Sequence, residues 1–272
     1  MLPVVEMFTS IQGEGKYAGI PSHFVRVSGC NLRCVFKDSV CDTPYSSFKP
    51  EKPIAKDLEE LVRLFKELQE KSPKVKHLVV TGGEPLMYAK DLDMFLRHIY
   101  DDEMVITIET NGTYPVLNPL SPYFKIALYS VSPKLATSVG KPGMYGKNGN
   151  IEVTQQMVDR HNQLRIDPQN LVDIVMNAND YQFKFVYSGP ECIDEIMDIY
   201  SRMGAIAEKY DPFMVSFYLK NHPNKHTMLM PEGITNEQLA TKRQEIANIC
   251  VQRGWTYTDR IHIVIWGDKR GV

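Results

Sequence analysis

The feature that most constrains the fold is the repeated alternation of apolar, strand-like segments with segments of helical spacing. The strand-like segments "HLVVTGG" (77–83) and "MVITIETNG" (104–112) flank a helical pattern around 92–99. In "KDLEELVRLFKELQEK" (56–71) the apolar residues share one helical face: Leu58, Leu61, Val62, Phe65 and Leu68. Such alternation indicates a parallel sheet covered by helices. We therefore predict an α/β fold, an open or partial βα barrel of mostly parallel strands with helices outside.

The same alternation continues through the rest of the chain. We predict further helices at 193–207 and 237–253, additional helical structure at 155–180, and a Gly-rich loop at 136–150. The further predicted strands are "HFVRVSG" (23–29), "KIALYSVSPK" (125–134), "YQFKFVYSG" (181–189), "FMVSFYLK" (213–220) and "WTYTDRIHIVIWG" (255–267). A length of 272 residues is enough for one large α/β domain or two small ones.

The charge balance argues against a nucleic acid or an anionic membrane as a direct partner. The net charge is −2, and such partners require a clustered excess of Lys and Arg. No apolar run approaches the roughly 20 residues that a transmembrane helix needs, and "MLPVVEMFTS" has neither a basic leader nor a small-residue cleavage site. We therefore expect a cytoplasmic protein whose partner is a small molecule.

Three of the five cysteines lie in one short segment, "GCNLRCVFKDSVCDT" (29–43). Three residues separate Cys30 from Cys34, and six separate Cys34 from Cys41. An odd number of cysteines without an export signal argues against a disulfide framework and favours a metal or catalytic use. Three thiolates can hold a four-iron cluster and leave one iron open for a small chelating ligand.

A zinc site is the alternative interpretation of these three cysteines. It would require a further Cys or His nearby, and none lies between His23 and His77. We therefore favour the iron–sulfur cluster. Cys192 and Cys250 each lie alone near or in a predicted amphipathic helix, where the expected role is a small buried apolar side chain.

Several of the predicted strands end in motifs that suit ligand binding: "TGGEP", "ETNG" and "SVSPK". The carboxyl ends of parallel strands form one edge of the sheet, and α/β proteins bind their ligands there. These three motifs could therefore surround the open iron of a cluster held by the cysteine segment.

These motifs together resemble one known family. The segment "EMFTSIQGEGKYAGIPSHFVRVSGCNLRC" (6–34), followed by "CDT", "TGGEP", "ETNGT" and "SVSPK", is similar to the 7-carboxy-7-deazaguanine synthase family of radical S-adenosylmethionine (SAM) enzymes. The similarity covers nearly the whole chain except for about 118–180, and "IQGEG" before the cysteines is its most specific part. It implies a single radical SAM domain over 1–272 with a family-variable insertion at about 118–180.

The resemblance implies a reaction as well as a fold. The enzyme would be a lyase that converts 6-carboxy-5,6,7,8-tetrahydropterin to 7-carboxy-7-deazaguanine with loss of ammonia, in queuosine and 7-deazapurine biosynthesis. The implied cofactors are a 4Fe-4S cluster, SAM and Mg²⁺. The implied partners are an electron donor such as flavodoxin or ferredoxin and a second copy of the chain in a homodimer.

The resemblance also implies roles for individual residues. Cys30, Cys34 and Cys41 would ligate the cluster, and Thr43 would bind Mg²⁺. The residues that would contact SAM are Asp42, Gly83, Glu84, Ser132, Pro133, Lys134 and Lys184. The residues that would contact the pterin are Ile11, Gln12, Gly13, Glu14, Arg26, Thr81, His262 and Val272. The chemistry of Arg26 agrees with this implied role, because a guanidinium can bind the carboxylate of the pterin through two parallel hydrogen bonds.

Two of these residues have plainer interpretations from the sequence alone. His262 could be a hydrogen-bonded histidine within a strand, and Glu84 could be a solvated carboxylate at the start of a helix. The cysteine spacing is also a departure, because the common radical SAM pattern has three and then two residues between cysteines. Here the second interval, "VFKDSV", has six.

Two other functions remain open at this stage. A radical SAM activase that generates a glycyl radical on a partner enzyme would share the cofactor residues, but it would not need "IQGEG" together with Arg26. A non-catalytic iron–sulfur electron carrier would use four cysteines and would need neither "TGGEP" nor "SPK".

Overall fold

The computed structural model describes residues 1–37, 39–116, 126–146, 148–210 and 223–272. The strands within these ranges are β1 (Val4–Ile11), β2 (Pro21–Val27), β3 (Val35–Phe36), β4 (Ser39–Val40), β5 (His77–Gly82), β6 (Val105–Thr110), β7 (Ile126–Val131), β8 (Tyr145–Gly146), β9 (Ile151–Glu152), β10 (Tyr181–Tyr187), β11 (Thr227–Pro231) and β12 (Thr256–Tyr257). The α-helices are α1 (Leu58–Lys71), α2 (Ala89–Ile99), α3 (Gln155–Leu164), α4 (Pro168–Asn177), α5 (Glu191–Ala207), α6 (Pro223–His226), α7 (Asn236–Arg253) and α8 (Ile261–Trp266).

The largest sheet has eight strands in the order β1-β2-β5-β6-β7-β10-β11-β12. The first pair, β1 and β2, is antiparallel, and every following pair of neighbours is parallel. Among the described residues β1 and β12 are the two edges of the sheet and are not paired with each other. The predicted partial barrel of mostly parallel strands is therefore confirmed.

The helices pack on the sheet through the apolar faces that the sequence predicts. Asp57 caps α1, because its carboxylate accepts a hydrogen bond from the Glu60 backbone N at 2.9 Å. Phe65 of α1 is fully buried and packs edge-on against Phe95 of α2, with ring centroids 5.8 Å apart. Side chains from α1, α2, α4, α5 and α7 join the strands in one core, which holds the strand ends in place.

No helix within the described ranges combines the length and the apolar character that spanning a bilayer requires.

The prediction of a strand region over 255–267 is wrong for most of its length. Only β12 is a strand, and α8 begins at Ile261. The β-branched residues of "IHIVI" favour a strand locally. In the structure, however, the Ile261 backbone N donates to the carbonyl O of Gly13 at 3.0 Å, and Ile263 is buried while Val264 is exposed. These tertiary contacts override the local propensity.

Residues 136–180 also differ in part from the prediction. The Gly-rich stretch 136–150 contains a short 3₁₀ helix and β8, which pairs with β9 in a small antiparallel hairpin, instead of being a loop throughout. Residues 155–180 are mainly helical, as predicted, and form α3 and α4. The predicted strand 213–220 lies outside the described residues. The sequence did not predict β1 or β11, and β11, "TMLMP", gives little strand signal because only its first residue, Thr227, is β-branched.

Candidate active site

A cavity of about 470 Å³ lies where the predicted motifs come together. The strand ends of β2, β5, β6 and β7 contribute to its lining, as do the cysteine segment and the last residues of the chain. Two predicted site residues, Glu84 and Pro133, do not line it. The predicted site residues that do are Ile11, Gln12, Gly13, Glu14, Arg26, Cys30, Cys34, Cys41, Asp42, Thr43, Thr81, Gly83, Ser132, Lys134, Lys184, His262 and Val272.

The six-residue interval between Cys34 and Cys41 folds into a β-hairpin. β3 and β4 pair antiparallel, with Val35 opposite Val40 and a positive φ of 44° at Lys37 in the turn. At the base of the hairpin the Cys41 backbone N donates to the carbonyl O of Cys34 at 2.9 Å. The pairing of β3 with β4 therefore brings the backbones of the two cysteines together despite the longer interval.

The three thiols have the chemistry of cluster ligands. Burial raises the pKa of the Cys30 thiol to about 12, and it also raises the pKa of Cys34 and of Cys41. Without a metal these thiols stay protonated, and a metal that binds them must displace their protons. Among the described residues no three Cys, His, Asp or Glu side chains converge on a single ion site.

The turn after β5 lies directly beneath the cysteine segment. The Glu84 backbone N donates to the carbonyl O of Gly29 at 2.8 Å, and the Gly83 backbone N donates to that of Val27 at 3.0 Å. A Cβ at Gly83 would lie 1.8 Å from the carbonyl O of Gly29. Glycine is therefore required at position 83, because the two backbones cross in contact there.

We predict opposite stability effects for alanine at two glycines. Gly83→Ala forces the backbone at Gly29 to move, and we expect a loss of about 1–3 kcal/mol in the free energy of unfolding. Gly204 lies within α5, where an added methyl group would meet no neighbouring atom of the described residues within 4 Å, so Gly204→Ala is expected to add about 1 kcal/mol. Urea denaturation of both variants measures the difference. A Gly83→Ala protein as stable as the wild type would contradict the crossing described above.

Glu84 is fully buried and bonded within the protein. Its carboxylate accepts hydrogen bonds from the Leu86 backbone N at 3.0 Å, the Thr110 hydroxyl at 2.8 Å and the Asn111 backbone N at 2.7 Å. Burial raises its pKa. Glu84 is therefore not a solvated carboxylate, and in this structure it joins the ends of β5 and β6 beside the cavity.

Asn31 connects the cysteine segment to the motif "ETNGT". The Asn111 amide donates to Asn31 Oδ1 at 2.9 Å, and the Asn31 amide donates to the Thr113 hydroxyl at 2.9 Å. The backbone between the first two cysteines is thus fixed to the end of β6. The sequence did not predict a role for Asn31, although its place directly after Cys30 was a signal.

Glu109 is a further cavity residue for which the sequence predicted no role. Its carboxylate accepts hydrogen bonds from the Gln12 amide at 3.1 Å and from the Thr81 hydroxyl at 2.7 Å. Gln12 and Thr81 come from distant parts of the chain, so Glu109 fixes the relative position of two predicted pterin contacts. It lies within the quoted motif "ETNG", which was the available signal.

Arg260 organises the most strongly charged part of the cavity. Its Nε donates to Glu14 at 2.9 Å, its Nη1 donates to the carbonyl O of Gly233 at 2.7 Å, and its Nη2 donates to Asp42. Lys184 donates to the same Glu14 carboxylate. Burial opposes ionisation of Glu14, but the cations of Lys184 and Arg260 hold its pKa well below the usual range. Glu14 therefore stays ionised, and Arg260 joins it to the cysteine segment.

His262 is placed by α8 in the cavity lining beside Gly13 and Glu14. Its ring packs directly on Gly13, and burial lowers its pKa, although the neighbouring Glu14 acts in the opposite direction. The imidazole is therefore neutral near pH 7 and keeps one donor and one acceptor. The interpretation of His262 as a strand histidine is wrong, because it lies in a helix.

Arg26 lies in β2, and its guanidinium uses one of its three nitrogens for hydrogen bonds to the described residues. Its Nε donates to Glu6 at 2.9 Å, and the described residues offer its two terminal amino groups no hydrogen bond. Arg270 also donates to Glu6, at 2.8 Å, and its guanidinium carbon lies 3.8 Å from the centre of the Tyr45 ring. Glu51 binds Arg270 through two hydrogen bonds of 2.8 and 2.9 Å, which hold the chain end at the cavity.

Comparisons with known proteins agree on one family. The family model of the Radical SAM superfamily matches residues 24–186, which is more than half of the chain. The 7-carboxy-7-deazaguanine synthase of Halobacterium salinarum is 33% identical over 269 residues, covering 98% of this chain and 91% of that protein. The one of Rhodopirellula baltica is 32% identical over 270 residues, covering 99% and 88%.

A solved structure shows the same fold. The crystal structure of QueE from Escherichia coli superimposes with a TM-score of 0.53 at 21% identity, and the match covers 95% of this chain and 93% of that one. The partial barrel is thus shared with a protein whose sequence is only distantly similar.

Proposed function

The chain belongs to the radical SAM superfamily and, within it, to the 7-carboxy-7-deazaguanine synthase family, and we propose that its substrate is 6-carboxy-5,6,7,8-tetrahydropterin. The enzyme converts this pterin to 7-carboxy-7-deazaguanine and ammonia in queuosine biosynthesis. Product and ammonia together contain the atoms of the substrate, so the conversion needs no net oxidant. The observation that carries the proposal is that one cavity is lined by the three thiols together with Gln12, Glu14 and Arg26.

The cofactor half of the cavity is proposed to hold a 4Fe-4S cluster on Cys30, Cys34 and Cys41. When bound, the cluster and SAM supply the one-electron chemistry that radical SAM enzymes share. The protein orients both and excludes water. The proposed SAM contacts that line the cavity are Asp42, Gly83, Ser132, Lys134 and Lys184. Glu84 and Pro133 complete the proposed set of SAM contacts, although neither lines the cavity in this structure.

The part of the cavity lined by Gln12, Glu14 and Arg26, which we call the substrate half, matches the polar groups of a carboxylated pterin. The terminal amino groups of Arg26, to which the described residues offer no hydrogen bond, can bind the substrate carboxylate. The ionised Glu14 can accept from N–H donors of the ring. Gln12 and Thr81, held by Glu109, supply further polar groups along the same wall, with Ile11, Gly13 and Val272 beside them. Neutral His262 can donate to one ring atom or accept from another.

A magnesium ion at Thr43 is a further part of the proposal. The Thr43 hydroxyl lines the cavity and lies 3.4 Å from Cys41 Sγ. One hydroxyl is a weak ligand, so substrate oxygens and water must complete an octahedral site. We expect Thr43→Val to lose most of the dependence of the rate on added MgCl₂, because it removes the hydroxyl with little change of volume. Initial rates across a MgCl₂ titration test this, and a dependence equal to that of the wild type would place the ion elsewhere.

The remaining parts of the proposal rest on the family and not on the geometry. We propose that 1–272 is one radical SAM domain with an insertion at about 118–180, that the enzyme is a cytoplasmic homodimer, and that flavodoxin or ferredoxin reduces its cluster. We propose no direct partner among nucleic acids or membranes.

Cleavage of SAM in anaerobic reactions distinguishes the proposed function from its two alternatives. The reconstituted full-length protein receives dithionite and SAM, with and without the pterin. The proposal predicts methionine and 5′-deoxyadenosine in amounts that rise when the pterin is added. An electron carrier would form neither compound, and a glycyl radical activase would form both without any response to the pterin.

A further inference from the structure

The described part of the cysteine hairpin (34–37 and 39–41) is packed against a second segment of the chain, which we call the covering segment (139–146 and 148–161). Val35 and Val40 of the hairpin form a small apolar cluster with Ile151 and Val153 of the covering segment, separate from the main core. A Cβ at Gly146 would lie 2.3 Å from Val40 Cγ1, so glycine there permits the close contact. The two segments therefore form one packed unit at the edge of the cavity.

Asn148 bonds the edge of the cysteine hairpin at β4. Its Oδ1 accepts from the Val40 backbone N at 3.0 Å, and its Nδ2 donates to the carbonyl O atoms of Val40 at 3.0 Å and of Cys41 at 3.1 Å. A single amide side chain thus occupies the edge of β4 as a neighbouring strand would. It fixes the backbone of Cys41, one of the proposed cluster ligands.

His161 fixes the loop on the other side of Cys34. Its side chain is buried, and Nδ1 accepts from the Arg33 backbone N at 3.1 Å. Nε2 donates to the Ser138 hydroxyl at 3.0 Å, which in turn donates to the carbonyl O of Leu135 at 2.6 Å. Because a backbone N–H can only donate, Nδ1 carries no proton and the tautomer is fixed.

We propose that Asn148 and His161 are positioning residues for the iron–sulfur cluster, which hold the cysteine loop in its ligating conformation, Asn148 from the lining of the cavity and His161 from a buried position that does not line it. The inference rests on the proposed function, because it requires the cluster. Side chains that fix a ligand loop in advance remove the conformational entropy that the loop would otherwise lose on ligation. The longer interval between Cys34 and Cys41 also forms β4, whose second edge β3 does not pair. Asn148 of the covering segment provides hydrogen bonds to that edge.

A matched pair of variants at His161 tests the contact with the cysteine loop. Asn places its Oδ1 close to the position of His Nδ1, so His161→Asn retains an acceptor for the Arg33 N–H. Gln reaches the position of Nε2 instead, so His161→Gln retains only the Ser138 contact. We expect the reconstituted His161→Gln protein to release iron to EDTA about 10- to 100-fold faster than the wild type. His161→Asn is expected to remain close to the wild type.

Asn148→Ala tests the contact with Cys41. It removes all three hydrogen bonds to β4 and Cys41, and we expect faster iron release and a changed EPR signal of the reduced cluster. Tyr145→Phe is the control in the same segment, because it removes only an exposed hydrogen bond from the Tyr145 hydroxyl to Asn150. The control should match the wild type in both measurements.

Melting temperatures of the cluster-free proteins show whether a variant releases iron faster because the cysteine loop is less well positioned or because the whole fold is less stable. Equal melting temperatures for His161→Asn and His161→Gln, with different rates of iron release, are the expected result. Equal release rates for these two variants, or a release rate of Asn148→Ala equal to that of Tyr145→Phe, would overturn the inference. A wild-type protein that takes up no cluster under the same conditions would contradict the proposed function itself.

Discussion

Replacement of Cys30, Cys34 or Cys41 by alanine is expected to abolish both the four-iron spectrum and all turnover. All three thiols line one cavity, and each must lose the proton that burial holds on it when it ligates iron. Three ligands are also the fewest that hold a four-iron cluster with one iron left open. The measurement is iron and sulfide per chain, together with absorption and EPR spectra after anaerobic reconstitution.

Cys192→Ala and Cys250→Ala are the matched controls. Both side chains are buried in the core, in α5 and α7, away from the cavity lining. Each substitution leaves a small void, which costs about 1 kcal/mol of stability, and both proteins should keep the cluster and the activity. A full cluster in Cys34→Ala, with loss of the cluster in Cys192→Ala or Cys250→Ala, would show that the hairpin does not carry a ligand.

Arg26→Ala is expected to raise the KM for the pterin at least about 30-fold. Truncation of one partner of a buried charge pair costs about 2–5 kcal/mol, and every 1.4 kcal/mol is a factor of ten. Glu6, which Arg26 also contacts, keeps its hydrogen bond from Arg270, so the fold around it persists. Cleavage of SAM in the absence of the pterin should remain measurable, because Arg26 is assigned to the substrate and not to the cofactor.

Arg26→Lys is the informative control for this prediction. Lysine keeps the positive charge but lacks the planar fork that binds a carboxylate with two parallel hydrogen bonds. We expect an intermediate KM if Arg26 binds the carboxylate in that way. Loss of SAM cleavage in Arg26→Ala, with an unchanged KM for the pterin, would move Arg26 to the cofactor half of the cavity.

The sequence predicted those parts of the fold in which local pattern and final packing agree. The apolar face of α1, with Leu61 and Phe65, is buried as its spacing indicated, and β5 and β6 lie where continuous apolar runs indicated them. The strand-end motifs and the cysteines do line one cavity, since parallel strands bring their carboxyl ends to one edge.

The parts that the sequence did not predict depend on contacts between distant residues. Arg260 bonds Glu14, which lies 246 positions earlier in the chain, and no local spacing indicates such a pair. The β-branched residues of α8 favour a strand locally, and the helix there depends on the distant contact of Ile261 with Gly13. Likewise, the Gly-rich stretch before Asn148 indicated a loop, but two of its glycines, Gly140 and Gly146, permit close contact with Val35 and Val40 of the cysteine hairpin.

The most direct test of the central claim is the identity of the product. The reconstituted enzyme is incubated anaerobically with dithionite, SAM, MgCl₂ and 6-carboxy-5,6,7,8-tetrahydropterin, and the mixture is analysed by mass spectrometry, with the Cys34→Ala protein as the blank. The account predicts a compound lighter than the pterin by one ammonia, identical in fragmentation to 7-carboxy-7-deazaguanine, and absent from the blank. Cleavage of SAM by a fully loaded enzyme while the pterin is recovered unchanged would contradict it.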